Sequence, residues 1–203
     1  MSENRWISRK ARTRIMRVGF FPIAFVALFG SRSWDTERST GFLIEASGYI
    51  LLLAGAGIRL WATLYIGGRK SRELVTDGPY SLCRNPLYLG TVLIAAGASL
   101  CFANLPMLAL SLGLMVPVYW LVVTAEERHL AERFGAEYEA YRSRTPRFLP
   151  RFRAYHCPEW VSVWSRTTWN AVSMTVLLVL VPLAGRLVEL LHAKGVLPVL
   201  WRL

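Results

Sequence analysis

Five apolar stretches dominate this chain, at residues 15–30, 42–66, 87–103, 105–125 and 169–192. About 20 consecutive apolar residues let a helix cross roughly 30 Å of hydrocarbon, and each stretch comes near that length. In lipid, backbone N–H and C=O groups must be satisfied within the protein, which leaves helices or closed barrels as spanning structures. The composition agrees: 54% of the 203 residues are hydrophobic, 18% are charged, and the mean hydropathy is +0.34, outside the ordinary soluble range. The pattern predicts an all-α integral membrane protein with about five transmembrane helices, its polar chemistry gathered at the foot of a helical hairpin.

Charge placement predicts orientation. The first stretch follows Arg5, Arg9, Lys10, Arg12, Arg14 and Arg17, and no small-residue cleavage site follows it, so it reads as an uncleaved helix with its N-terminus in the cytoplasm. The segment 67–86 carries Arg69, Lys70, Arg72 and Arg84 against Glu73 and Asp77, and the segment after Thr124 is rich in arginine. Both segments are expected on the cytoplasmic side, while Asn104 marks an outer hairpin tip. The formal net charge of +11 follows from this bias and from attraction to anionic headgroups, and no nucleic-acid partner is expected. Cys83, Cys101 and Cys157 have no metal-ligand spacing and read as free thiols.

The chain divides into an N-terminal part with two spans (1–66), a central part with the hairpin (67–153) and a C-terminal part with an interfacial aromatic segment and the last span (154–203). Within the second stretch, Glu45 and Arg59 lie where both could snorkel to the interface. Gly55-Ala56-Gly57 imitates a fragment of a dinucleotide fingerprint but lies mid-membrane with no preceding strand, so it is read as a close helix contact. Pro117 is expected to disturb the hairpin's second arm.

Beyond that arm, Glu126, Leu130, Phe134, Tyr138 and Tyr141 recur at helical spacing, the stripe of one helix face. Thr145-Pro146 should end that helix. The alternating run from Arg147 to Arg153 is read as contact with lipid headgroups, and Trp160, Trp164 and Trp169 as an aromatic belt. Arg186 and Glu189, at i and i+3, are expected to neutralise one another.

Two polar stretches bracket the hairpin: Gly78-Pro79-Tyr80-Ser81-Leu82-Cys83-Arg84-Asn85-Pro86-Leu87-Tyr88-Leu89-Gly90, and Glu126-Glu127-Arg128-His129-Leu130 continuing to Pro150. With the preceding Leu74-Val75-Thr76, and with Phe134-Gly135, Tyr138, Tyr141 and Pro146, the pattern over about residues 72–150 resembles the isoprenylcysteine carboxyl methyltransferase family. These are membrane enzymes that use S-adenosylmethionine and have phospholipid-methylating relatives. The resemblance implies a cofactor pocket lined by Arg72, Glu73, Leu74, Val75, Tyr80, Asn85, Pro86, Leu87 and Tyr88, with Glu126 as a further contact. Asn85 stands where many relatives have histidine, and Val122 where prenylcysteine-methylating enzymes have a substrate-binding arginine.

The reading from sequence is therefore a membrane methyltransferase that passes a methyl group from S-adenosylmethionine, bound on the cytoplasmic side, to a lipophilic acceptor arriving from the bilayer, with no metal. Candidate catalytic groups are Glu127 and His129 as bases for an amine or thiol acceptor, and Arg144, with Arg147, as a holder of an anionic acceptor. Two alternatives stay open. One is a phospholipid or amine N-methyltransferase; the other is a nicotinamide-dependent membrane reductase. A third, a non-catalytic membrane scaffold, predicts no binding of either nucleotide, and the dense pocket residues argue against it.

Overall fold

Helix length sorts the apolar segments. In the computed structural model, which describes residues 21–35, 38–67, 69, 73–161 and 163–200, every regular element is helical and no strand occurs among the described residues. The elements are α1 (21–29), α2 (Ser39–Ile66), α3 (Pro79–Leu82), α4 (Pro86–Cys101), α5 (Leu105–Phe134), α6 (Ala136–Arg144), α7 (Ser165–Val179) and α8 (Val181–Ala193). Among the described residues, three apolar helical stretches are long enough to cross a membrane: Ser39–Ile66, Leu105–Phe134 and Thr168–Ala193. The chain is an integral membrane protein. The basic run from Arg5 to Arg17 and Arg72 lie outside the described residues.

Three sequence expectations need correction. The third apolar stretch forms a helix of only 16 residues, about 24 Å at 1.5 Å per residue. It stops because the chain turns at Ala103, whose φ is +50°, and at Asn104, whose Oδ1 accepts from the Met107 N–H at 2.8 Å and so caps α5. The last stretch forms one candidate span, Thr168–Ala193, as expected, but it is broken into α7 and α8 at Leu180, two residues before Pro182, which cannot donate to the helical ladder. The stripe from Glu126 to Tyr141 runs over two helices, because Gly135 takes φ +51° and ends α5 at Phe134. As the sequence predicts, Thr145, in an extended conformation before Pro146, ends α6.

The chain divides into two compact units, one of Met1–Ile50, Ala95–Ala125 and Val181–Leu203, the other of Leu51–Ile94 and Glu126–Leu180. In the first, Arg186 donates to Glu45 at 2.8 Å and to Glu189 at 3.2 Å, and Glu189 also pairs with Arg32. The Arg186–Glu189 pair forms as its spacing implies. Glu45, only 13% exposed along its side chain, is held inside this network rather than snorkelling, because a carboxylate in apolar surroundings gains most from a fixed cation.

The second unit holds the polar stretches of the sequence. Its buried core joins Ala62 and Tyr65 of α2 to Val75 and Tyr80, with Trp61, Leu64, Ile66, Leu87 and Val161 packed around them. Gly55 provides a close backbone approach between α2 and α4: a Cβ there would lie 2.6 Å from the Gly90 carbonyl oxygen and 2.8 Å from the Ile94 nitrogen. Gly57, in the same triplet, faces open space. Gly55→Ala is therefore expected to destabilise by about 1–3 kcal/mol, as overpacking does. Gly57→Ala should stay within about 0.5 kcal/mol of the parent or gain from helix propensity. Melting midpoints in detergent that fall equally for both variants would contradict the contact.

Candidate active site

The described segment 73–85, ahead of α4, turns at Gly78 into α3. Gly78 has φ +57°, and a Cβ on it would lie 2.3 Å from the Tyr65 ring, so glycine is required there on both conformational and steric grounds. The following α3 is buried along its whole length, from Pro79 to Leu82. The segment after α6 clasps it by backbone bonds: Gly78 N–H donates to the His156 carbonyl at 2.9 Å, Arg84 N–H to Pro146 at 2.9 Å, and Arg151 N–H to Leu82 at 3.0 Å. The basic and apolar run expected at lipid headgroups thus also serves as an internal strap, while Leu149 and Phe152 remain exposed.

Glu127 is the centre of the polar connections. It accepts from Arg84 Nε at 3.0 Å and from Asn85 Nδ2 at 2.8 Å, and Arg147 Nε lies 3.2 Å from its other oxygen. Arg84 Nη1 also donates to the carbonyls of Thr145 at 2.7 Å and Arg142 at 3.0 Å. The side chains of Arg84 and Glu127 are only 11% and 12% exposed, so their charges are shielded from water and paired, as burial demands. Asn85 and Pro86 open α4, with proline at the first helical position, where its missing N–H costs nothing.

The turn, the start of α4 and the last turns of α5 enclose one cavity. Its wall includes Glu73, Leu74, Val75, Tyr80, Asn85, Pro86, Leu87, Tyr88 and Glu126, residues singled out from the sequence; Arg72 lies outside the described residues. His129 also lines it. Glu127 and Arg144 are not part of the lining: Glu127 is occupied by the arginine cluster, and Arg144 stands exposed at the end of α6. The wall also contains Ile66, Arg84, Leu130, Arg133 and Tyr141, none of which was assigned to the pocket from sequence. The spacing Glu126, His129, Leu130, Arg133 is one face of a helix, the signal by which Arg133 could have been found.

Hydrogen bonds set the character of the wall. The Tyr88 hydroxyl donates to Glu126 Oε2 at 2.7 Å, so this carboxylate is oriented from α4. The Tyr141 hydroxyl donates to the Tyr80 carbonyl at 2.7 Å, tying α6 to α3. Burial raises the Tyr80 phenol well above its ordinary value, with the Glu126 charge adding to the effect; burial likewise raises Tyr141. Both remain neutral donors at any working pH. The buried Cys83 thiol is pushed up to about 11 by desolvation, which keeps it protonated and unreactive.

The wall combines charges of both signs with apolar surface. Glu73 and Glu126 supply acceptors, Arg84 and Arg133 supply cations, and Ile66, Leu74, Val75, Leu87 and Leu130 supply apolar surface. Among the described residues, no group of three or more His, Cys, Asp or Glu side chains could hold a metal ion.

The sequence matches the family described as Phospholipid methyltransferase over residues 41–137. It is 42% identical over 131 residues to the cobalt-zinc-cadmium resistance protein CzcN of Cupriavidus metallidurans, covering 63% of this chain and 58% of that protein. It is 36% identical over 147 residues to the nickel-cobalt-cadmium resistance protein NccN of Alcaligenes xylosoxydans xylosoxydans, covering 71% and 67%. To the protein-S-isoprenylcysteine O-methyltransferase of Schizosaccharomyces pombe it is 33% identical over 81 residues, covering 40% and 34%. The chain thus spans from 34% to 67% of the length of these relatives. No solved structure is significantly similar to it. The matched span of 41–137 covers α3 and α4 and takes in Glu73, Tyr88 and Glu126 of the cavity wall. The chain belongs to the isoprenylcysteine carboxyl methyltransferase-like family of membrane methyltransferases.

Proposed function

We propose that this chain is a membrane methyltransferase that binds S-adenosylmethionine in the cavity between the turn, α4 and α5, on the cytoplasmic side, and methylates a lipophilic acceptor from the bilayer. The observation that carries the reading is the Tyr88–Glu126 pair on the wall of a cavity that combines acidic, basic and apolar surfaces. When bound, S-adenosylmethionine supplies a methyl group on a sulfonium centre.

The protein's own part is positioning. Glu126, oriented by Tyr88, accepts hydrogen bonds from ribose hydroxyls or an ammonium group. Arg133 and the opening turn of α4 suit a carboxylate, and Leu74, Val75 and Leu130 shield an adenine from water. Holding nucleophile and methyl carbon aligned can supply about 7–11 kcal/mol in favourable systems. An amine or thiol acceptor also needs a base, and His129 brings an imidazole to the cavity wall. Arg144 stands exposed at the end of α6, where it could attract an anionic acceptor.

Glu127 acts as a positioning residue: it fixes Arg84, Asn85 and Arg147 and so holds the start of α4 against α5. A phospholipid amine is the second acceptor class, favoured by the match to the phospholipid methyltransferase family and by Val122 in place of a substrate arginine.

The two neighbouring glutamates give the reading a direct test. Calorimetric titration of purified protein with S-adenosylhomocysteine should give saturable binding, and the reduced nicotinamide cofactor should give none. Glu126→Gln is expected to weaken binding by about 10–100-fold, the loss of a charge-assisted hydrogen bond, with the melting midpoint nearly unchanged. Glu127→Gln should instead lower stability by about 1–3 kcal/mol, since it strips the charge from a largely buried cluster. A Glu126→Gln protein with parental affinity would refute the assigned pocket. Equal melting midpoints for parent and Glu127→Gln would refute the positioning role.

A further inference from the structure

A second cavity, of about 310 Å³, lies in the same unit, lined by Arg59, Leu60 and Thr63 of α2 and by Asn170, Ala171, Met174, Thr175 and Leu178 of α7. Arg59 is seven residues from the end of α2, about 10 Å along the helix at 1.5 Å per residue, within a stretch long and apolar enough to span the bilayer. Charged side chains at such depth pair with a counter-charge or mark a functional path. Arg59 has no carboxylate partner among the described residues: one of its terminal nitrogens donates to Thr91 Oγ1. Thr91 itself donates to the Leu87 carbonyl at 2.8 Å, and the Gly55–Gly90 contact brings α4 close enough for this bond.

A guanidinium held by one neutral hydroxyl retains donors in a fork that matches carboxylate or phosphate oxygens. Asn170 adds an amide to the same wall, while Leu60, Met174 and Leu178 offer apolar surface for a chain. At about 310 Å³ the cavity is well above the roughly 10–15 Å³ needed to hold one water, which leaves room for a headgroup.

We propose that this cavity binds the anionic head of a membrane amphiphile, carboxylate or phosphate, at Arg59, with its tail along Met174 and Leu178. The site stands apart from the methyl-donor cavity, and the inference does not depend on that reading.

The full chain in phosphatidylcholine nanodiscs would be titrated, with no methyl donor present, with labelled oleate and with labelled oleoyl lysophosphatidate. Methyl oleate and monoolein serve as uncharged counterparts, and uptake by empty discs is subtracted. Saturable binding of at least one anionic probe, tenfold or more tighter than its counterpart, is expected. Oleate alone would identify a lipophilic acid, and the phosphate probe alone a phospholipid-type head. Arg59→Gln should remove the preference while keeping the parental melting midpoint, and Arg59→Lys should restore part of it. If Arg59→Gln does not fold, Met174→Trp, which fills the cavity with Arg59 intact, should abolish saturable uptake. No preference for the anionic probes in the parent, or unchanged uptake in Arg59→Gln or in a folded Met174→Trp, would overturn the proposal.

Discussion

The second unit depends on one largely buried carboxylate. Glu127 gathers Arg84, Asn85 and Arg147, and through them joins the start of α4, the last turns of α5 and the strap after α6. Burying these charges is expensive, and pairing alone seldom repays it. Here the remaining hydrogen-bonding capacity is also used: Arg84 reaches two carbonyls and Asn85 a third, that of Arg147 at 3.2 Å. Such a cluster specifies geometry more than it adds stability. The same bonds that satisfy Glu127 determine where the wall residues after Asn85 begin.

Adjacent residues on a helix point about 100° apart, and the Glu126-Glu127 pair uses that angle. One acid faces the cavity, under the Tyr88 hydroxyl; the other faces the arginine cluster. Two neighbouring carboxylates would repel if both were desolvated together. Separating them gives one a structural countercharge and leaves the other in a wall that also carries Arg84 and Arg133.

What the sequence disclosed follows from which forces are local. Apolar runs, the Thr145-Pro146 stop and the packing role of Gly55 are properties of a few consecutive residues, and all are legible. The stripe from Glu126 to Tyr141 reads as one helix because Gly135 permits either continuation or a left-handed break; in the structure it breaks there, with Tyr138 and Tyr141 of α6 buried. The different fates of Glu126 and Glu127 depend on an arginine 43 residues away, which spacing within a helix cannot supply. Arg133 was legible in principle, one helical face along from Glu126. Glu45 looked like a snorkelling acid because its partner, Arg186, is 141 residues distant.

The way Glu126 is held bears on what it should contact if the cavity takes a sulfonium donor. A carboxylate set directly against the sulfonium would stabilise a positive charge that disappears as the methyl group leaves. It would bind the ground state more tightly than the transition state and slow the reaction. The Tyr88 bond at 2.7 Å withdraws negative charge from one oxygen and fixes the plane of the other, which suits directional acceptance from a hydroxyl or ammonium group. The neutral phenol of Tyr80 and the apolar side chain of Leu87 on the same wall are the better neighbours for a charge that must vanish, because they offer little that is lost when it does. On the proposed reading, the acid would anchor the ligand at a distance from the reacting centre, and methyl transfer would fall against the uncharged part of the wall.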